Sequence, residues 1–224
     1  MSNDFVEIYR TLRECFGYQD WWPARTAFEV MVGAILTQNT NWNNVEKAIE
    51  NLRDADRLTA DAIAGVDAEE LQDLIRPAGY FRQKSARLIR LARWVEQNCD
   101  PADQGLTALK EWPQYELRRE LLNINGIGPE TADSILLYAL DKLVFVIDTY
   151  TVRVFGRHEL IEADLPYQEL QEEFHYRLPD DLDLYRDFHA QIVELGKRNC
   201  TKRSPSCGSC PLRPLLGEPV LIPY

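Results

Sequence analysis

The sequence predicts an all-α protein, on three observations. Apolar residues recur at three- and four-residue spacings along almost the whole chain. Only Leu143–Ile147 looks strand-like; it has no second strand to pair with and reads as an extended connector. No internal repeat, low-complexity tract or long linker interrupts the helical pattern.

The first helix is expected over Phe5–Phe16, with Phe5, Ile8, Leu12 and Cys15 on one stripe. Thr26 opens a second, running to Leu36, which is apolar nearly all round and so belongs at the centre of a core. Asn43–Leu52 is amphipathic through Val45, Ala48, Ile49 and Leu52. Two short helices follow near Ala60–Ala64 and Ala68–Ile75. Gln83–Asn98 is long, carrying Leu88, Ile89, Leu91, Ala92 and Val95. Glu116–Leu122, Pro129–Ala139, Thr149–Arg157, Gln168–Arg177 and Leu184–Leu195 complete a set of roughly ten, with ends good to a few residues.

The chain has 224 residues, 45% apolar and 27% charged, an ordinary folded composition that excludes wholesale disorder. That length suits one large domain or two small ones. The longest apolar-rich run, Ala27–Leu36, is broken by Glu29 and too short to cross a bilayer. Met1-Ser2-Asn3-Asp4 lacks the basic start and apolar stretch of a signal peptide, so a cytoplasmic, nucleoid-associated location is expected. Five Cys there argue against a disulfide framework and, where clustered, for a metal site.

The net charge of −11 is unlike a nucleic-acid binder's basic footprint, but its distribution is uneven. Arg76 to Trp94 holds Arg76, Arg82, Lys84, Arg87, Arg90 and Arg93 with no acid, while Asp54–Asp73 and Glu159–Asp187 are strongly acidic. A polarised molecule follows, with one basic region on an acidic body. On charge alone the basic stretch is simply the solvated face of a helix.

The most informative stretch is Leu121-Leu122-Asn123-Ile124-Asn125-Gly126-Ile127-Gly128-Pro129-Glu130-Thr131-Ala132. One helix ends near Leu122. Gly126 and Gly128 permit positive φ and close backbone approach. Pro129 suits a first helical position. Asn125–Gly128 is thus a tight turn feeding a helix N-terminus, where exposed N–H groups and the dipole form an anion site. A DNA phosphate fits there without any base being read. About twenty residues on, Asp148 stands between an apolar stretch and a helix. That position favours an N-cap, a role compatible with catalysis.

These residues resemble the helix-hairpin-helix DNA glycosylases of the endonuclease III superfamily, over nearly the whole chain. The family's hairpin pattern is matched from Ile124 to Ala132, and its catalytic acid by Asp148. The segment that inserts a Gln into the DNA stack is matched by Leu36-Thr37-Gln38-Asn39-Thr40, nominating Gln38. Gly79-Tyr80-Phe81-Arg82-Gln83-Lys84 matches a further motif before a helix. The resemblance implies DNA contacts from Gln38, Lys84, Asn125, Gly126, Ile127 and Gly128. It also implies a groove between two helical domains, with the target base flipped into it. The expected domains are 24–140, ending in the hairpin, and 1–23 with 141–224, carrying the cysteine loop.

Bifunctional members carry a nucleophilic Lys two residues after the hairpin's last Gly. Here that position is Glu130, and a carboxylate cannot form the Schiff base that strand cleavage needs. A monofunctional enzyme using water is expected. Within the superfamily the chain is most similar to the bacterial 3-methyladenine DNA glycosylases. It shares their Trp21-Trp22-Pro23, their aromatic after the Gln segment (Trp42), Arg76-Pro77-Ala78-Gly79-Tyr80, and Glu130. That branch implies a base pocket from Trp22, Pro23, Trp42 and Glu130, with Trp21 read instead as a core or surface anchor. An aromatic sandwich suits a methylated, cationic purine. Where the branch has a Lys in F-H-G-K-I-V-E, this chain has Gln191.

Cys200, Cys207 and Cys210 form C-x6-C-x2-C. The superfamily's [4Fe–4S] motif continues to a fourth Cys, whose place here is Leu216. Three thiolates with another ligand at one iron are expected, ahead of no metal, with zinc third. The expected function is therefore a monomeric, monofunctional DNA N-glycosylase. It acts in base excision repair on double-stranded DNA containing a damaged base, an alkylated purine such as 3-methyladenine. The alternatives are a bifunctional enzyme on oxidised pyrimidines, which Glu130 opposes, and a non-catalytic DNA-structure-binding protein, which Asp148 opposes.

Overall fold

A computed structural model describes residues 4–100, 103 and 106–220. Residues 1–3, on which the leader expectation rests, lie outside the described residues, as do 101–102, 104–105 and 221–224. Regular structure among the described residues is all helical. It comprises α1 (Phe5–Phe16), α2 (Ala27–Leu36), α3 (Trp42–Asp54), α4 (Ala60–Gly65), α5 (Ala68–Leu74), α6 (Phe81–Asn98), α7 (Thr107–Glu111), α8 (Gln114–Asn123), α9 (Pro129–Tyr138), α10 (Thr149–Arg157), α11 (Tyr167–Arg177), α12 (Leu182–Arg198) and α13 (Arg213–Leu216). The predicted helices are all present, with ends moved by up to three residues. The additions, α7 and α13, are too short to leave a periodic signal.

Two compact units result. One is Trp22–Lys142. Its hub is α2, buried from Phe28 to Leu36 and packed on α3, α6 and α9. Thr26 starts the helix by accepting a hydrogen bond from Glu29 N–H. Glu29, the acid that breaks the apolar run, is buried but paired with Arg53 at 2.6 Å.

The other unit takes the described residues up to Trp21 together with those from Leu143. Its core is aromatic: Phe5, Phe155 and Phe174 meet at 4.8 Å between ring centroids, and Phe145 stacks on Phe174 at 4.5 Å. Leu143–Ile147 is extended, and among the described residues it pairs with no strand. Side chains of α11 serve its backbone instead. Phe145 N–H donates to His175 Nε2, Gln171 donates to Phe145 C=O, and Ile147 N–H donates to Tyr167 Oη. Buried backbone must be satisfied somehow, and here it is satisfied sideways.

Lys84 is 1% exposed on α6, and its ammonium donates to Leu36 C=O and Ala78 C=O, each at 2.8 Å. Burial, with Arg87 nearby, pulls its pKa down to about 8. The expectation that Lys84 touches DNA is thereby corrected: its donors point inward, pinning the turn before α6 to the end of α2. Lys84→Met should cost about 2 kcal/mol of stability at neutral pH, since two buried carbonyls lose a donor. Between about 8 and 10.5 the unfolded chain holds a proton on Lys84 that the native chain has shed. The wild type should therefore gain on the variant as pH rises through that window in urea titrations. A flat difference would mean the ammonium is hydrated.

Candidate active site

The candidate residues fall in both units, and each group takes its geometry from its own unit. In Trp22–Lys142, α8 and α9 form the hairpin. Arg118 clasps Asp133 in a bidentate pair, at 2.7 and 3.0 Å, with Asp133 fully buried, so the two arms are tied. Gly126 has φ +98, and a Cβ there would come within 2.5 Å of Arg87. Gly128 differs from expectation: it is extended, with φ −95 and ψ 179, and a Cβ would meet nothing within 4 Å. Only Gly126 needs glycine's conformational freedom. Gly128 caps α9 without a side chain, and Pro129 occupies the first position. The first-turn N–H groups, with the dipole behind them, make an anion site beside exposed Asn125. Ile127 is buried and anchors the turn. Exposed Arg82, Arg90 and Arg93 follow along α6, and Arg90 reaches Asn125 C=O at 3.4 Å.

Gln38 follows α2 and folds back onto this hairpin. Its amide donates to Thr131 Oγ1 at 2.9 Å and Gly126 C=O at 3.2 Å, and its Oε1 accepts from Arg87. The Gln segment and the hairpin are thus one hydrogen-bonded body. Arg87 was not singled out from its neighbours in sequence; nothing in an Arg-rich helix says which guanidinium turns inward.

Trp22 and Trp42 come together edge to face, 5.4 Å between centroids, and Tyr138 of α9 joins Trp22 at 5.4 Å. The Trp22 indole lies on α2 at Gly33, where a Cβ would sit 3.0 Å from the ring. Tyr138 and Gly33 escaped sequence reasoning, because each looks like an ordinary helix residue. Pro23 is exposed beside Trp22, and Glu130 is exposed on the first turn of α9. Trp21 belongs to the other unit, with the Lys197 ammonium 5.9 Å over its ring.

In that other unit, Asp148 caps α10. Its Oδ1 accepts from Thr151 N–H at 2.7 Å and from Thr151 Oγ1 at 2.8 Å. Its Oδ2 lies 3.7 Å from His189 Nε2. Burial pushes the carboxyl up, but His189 and the two Thr151 donors outweigh it, and the net shift is downward. Asp148 is a buried anion at neutral pH. His189 was legible only as part of the segment around Gln191. Gln191 itself, in the place of the branch's Lys, donates to Gly17 C=O at 2.6 Å and lies against Asp187.

Cys200, Cys207 and Cys210 are free thiols that line one open pocket together with His158 and Arg213. Arg157 donates to Cys200 Sγ at 3.1 Å and to Thr201 C=O and Lys202 C=O, while Arg153 donates to Cys200 C=O. Burial, and the neighbouring sulfurs of Cys200 and Cys207, raise the Cys210 thiol, against backbone donors at Leu212 and Arg213. Leu216, in the fourth place, is buried. Among the described residues no group of three His, Cys, Asp or Glu is placed to hold a single metal ion.

The sequence pattern described as HhH-GPD superfamily base excision DNA repair protein matches residues 32–180. A provisionally named DNA repair glycosylase of Methanocaldococcus jannaschii is 46% identical over 92% of this chain and 93% of its own. Endonuclease III of Thermotoga maritima is 30% identical over 83% of this chain and 80% of its own. Among solved structures, H. pylori 3-methyladenine DNA glycosylase bound to 1,N6-ethenoadenine superposes with a TM-score of 0.74. It is 32% identical, over 87% of this chain and 98% of that one. An endonuclease III–DNA complex reaches 0.79 at 22% identity, a likeness of fold.

The two hairpin glycines should separate cleanly in thermal unfolding. Gly126→Ala should lose about 1 kcal/mol or more, through positive φ and the Arg87 clash. Gly128→Ala should stay within about 1 kcal/mol of wild type. Equal losses would mean that the turn reshapes around both positions.

Proposed function

Because the chain belongs to the HhH-GPD superfamily of base excision DNA repair proteins, we propose that it is a monofunctional DNA N-glycosylase excising alkylated purines such as 3-methyladenine. The observation that carries this reading is Asp148, a carboxylate kept ionised despite burial. Breaking an N-glycosidic bond builds positive charge on the sugar. A fixed anion in a water-poor site stabilises that charge strongly. Water attacks C1′, the bonding pair leaves on the base, and the water proton is released. Thr151 orients the carboxylate through both of its donors.

The expected sandwich is not formed, since Trp22 and Trp42 meet edge to face at 83°; substrate preference would rest on single aromatic contacts with these rings. A base methylated at N3 is a flat cation with a weakened glycosidic bond. Each desolvated aromatic contact gives it about 0.5–2 kcal/mol. Glu130, in place of the Schiff-base lysine, supports hydrolysis without strand cleavage, and its charge also favours a cationic base. The open N-terminus of α9 supports a phosphate contact at Gly126–Gly128, with Asn125, Gln38 and the exposed arginines of α6 beside it.

Cys200, Cys207 and Cys210 line one pocket and would be the thiolate ligands at three corners of an iron–sulfur cluster, with Leu216 unable to supply the fourth. When bound, a cluster would supply a structural tie for this loop, and Arg157 already serves as one. No step of base release depends on it. Iron and acid-labile sulfide in anaerobically purified protein read its presence directly; iron-free protein removes it from the account.

Asp148→Asn should slow base release about 10²-fold or more, at least ~2.7 kcal/mol of barrier, with lesion binding kept. Duplexes carrying 3-methyladenine, 7-methylguanine, thymine glycol, uracil or mispaired adenine would rank the substrates, alkylated purines first. Wild-type release by Asp148→Asn would reduce Asp148 to a helix cap and end the glycosylase mechanism. Borohydride should trap no enzyme–DNA adduct; a robust adduct would make the enzyme bifunctional. Gly128→Val should weaken DNA binding, and the affinity should fall steeply with salt. Unchanged binding would acquit the hairpin.

A further inference from the structure

His189 is a buried imidazole with no part in the mechanism so far. It is 7% exposed on α12, and its ring meets Phe145 edge-on at 6.5 Å and 88°. Phe145 is itself locked by stacking on Phe174, so the imidazole direction is set by packing. Its Nε2 is buried without a full hydrogen bond and lies 3.7 Å from Asp148 Oδ2. Two buried lone pairs facing each other repel, so this nitrogen carries a proton toward the carboxylate in either charge state. The two oxygens of Asp148 therefore have different duties. Oδ1 is committed to the helix cap through Thr151. Oδ2 has His189 as its partner, and the distance exceeds a full hydrogen bond, which leaves that oxygen the one able to answer a developing charge.

Resting on the glycosylase reading above, we infer that His189 is the positioning residue of the reaction: its Nε2–H aims Oδ2 of Asp148 and keeps that oxygen anionic. A cap alone holds the carboxylate at one corner. The imidazole, fixed from a different helix, adds the second point that sets the plane. Thr151 would preserve α10 without it, so its contribution belongs to chemistry more than to folding. The downward net shift of Asp148, to which His189 contributes, agrees. Other ionisable groups nearby are accounted for. Tyr150, beside Asp148, is pushed up by burial and by that carboxylate, and so stays neutral through the working range. Asp187, two residues before His189, is engaged by Arg13 and Gln19 N–H.

The test is single-turnover base release from duplex DNA methylated in vitro, measured across pH for five variants beside binding and thermal unfolding. His189→Leu should release bases about tenfold more slowly while binding the DNA normally. Its acidic limb should move up by about half a pH unit or more, because a buried Asp148 without the donor protonates sooner. His189→Gln, whose amide reaches as far as Nε2, should recover much of the rate and return the limb; the shorter His189→Asn should not. In an Asp148→Asn background, His189→Leu should add no further loss. An unmoved acidic limb, equal losses in both backgrounds, or Gln and Asn variants that behave alike would overturn the inference. If His189→Leu does not fold, the Gln–Asn contrast decides alone. Inactive Asp148→Asn with fully active His189→Leu defeats this inference only. Fully active Asp148→Asn defeats it together with the glycosylase reading.

Discussion

A single buried ammonium organises the unit that carries the hairpin. Lys84 reaches from α6 to the last carbonyl of α2 and to the turn at Ala78. Ammonium groups are seldom taken out of water, and the lowered pKa records the cost. In return, two pieces of backbone far apart in sequence are held at one point. Gln38 begins two residues beyond that point, and Gln38 in turn holds Gly126 and Thr131. Arg118 and Asp133 then fix α8 against α9. A chain of charge-assisted contacts thus runs from the centre of the core to the turn that would meet DNA. Each link leaves little freedom to the next.

The same economy governs the acidic composition. With a net charge of −11 the molecule as a whole repels nucleic acid. The acid-free basic stretch lies mostly on α6, and two of its side chains are spent inward: Lys84 entirely, Arg87 on Gln38. What remains outward is a short row, Arg82, Arg90 and Arg93, next to a helix terminus that attracts anions through its backbone. Such a surface is weakly attractive to DNA in general and strongest where the backbone N–H groups and the arginines meet. A repair enzyme that must leave undamaged DNA quickly gains from that restraint.

Much of the fold was legible because helical periodicity survives in the amphipathic segments, and Thr26, Asp148 and Pro129 announce their helix starts. The extended segment before Asp148 was also legible, since it is short, strand-like and has no second strand to pair with. What could not be read was the direction of individual side chains. Lys84 sits among five arginines and looks like one more surface cation. Only the packing of α6 against α2 turns it inward. Gly128 looked like a backbone necessity beside Gly126, yet its conformation suits any residue, so its smallness is free to serve a ligand. His189 falls in a segment that the branch motif matches, but nothing in the sequence says which group its ring faces. Its pairing with Asp148 joins residues on two helices, brought together by the packing of α10 on α12.

The unit that holds Asp148 is assembled from both flanks of the sequence. Arg13 bonds Asp187, and Gly17 receives Gln191, across more than 170 residues. Between them Trp22–Lys142 is contiguous and carries its own core. On the ribosome this imposes an order. The hairpin unit can close as soon as its last helix emerges, whereas α1 must wait, its Phe5 and Leu12 uncovered, until α10 to α12 have been made. The Asp148 carboxylate is consequently among the last features to acquire its surroundings. A chain cut short during synthesis can hold a finished hairpin while its Asp148, still solvated, is chemically idle.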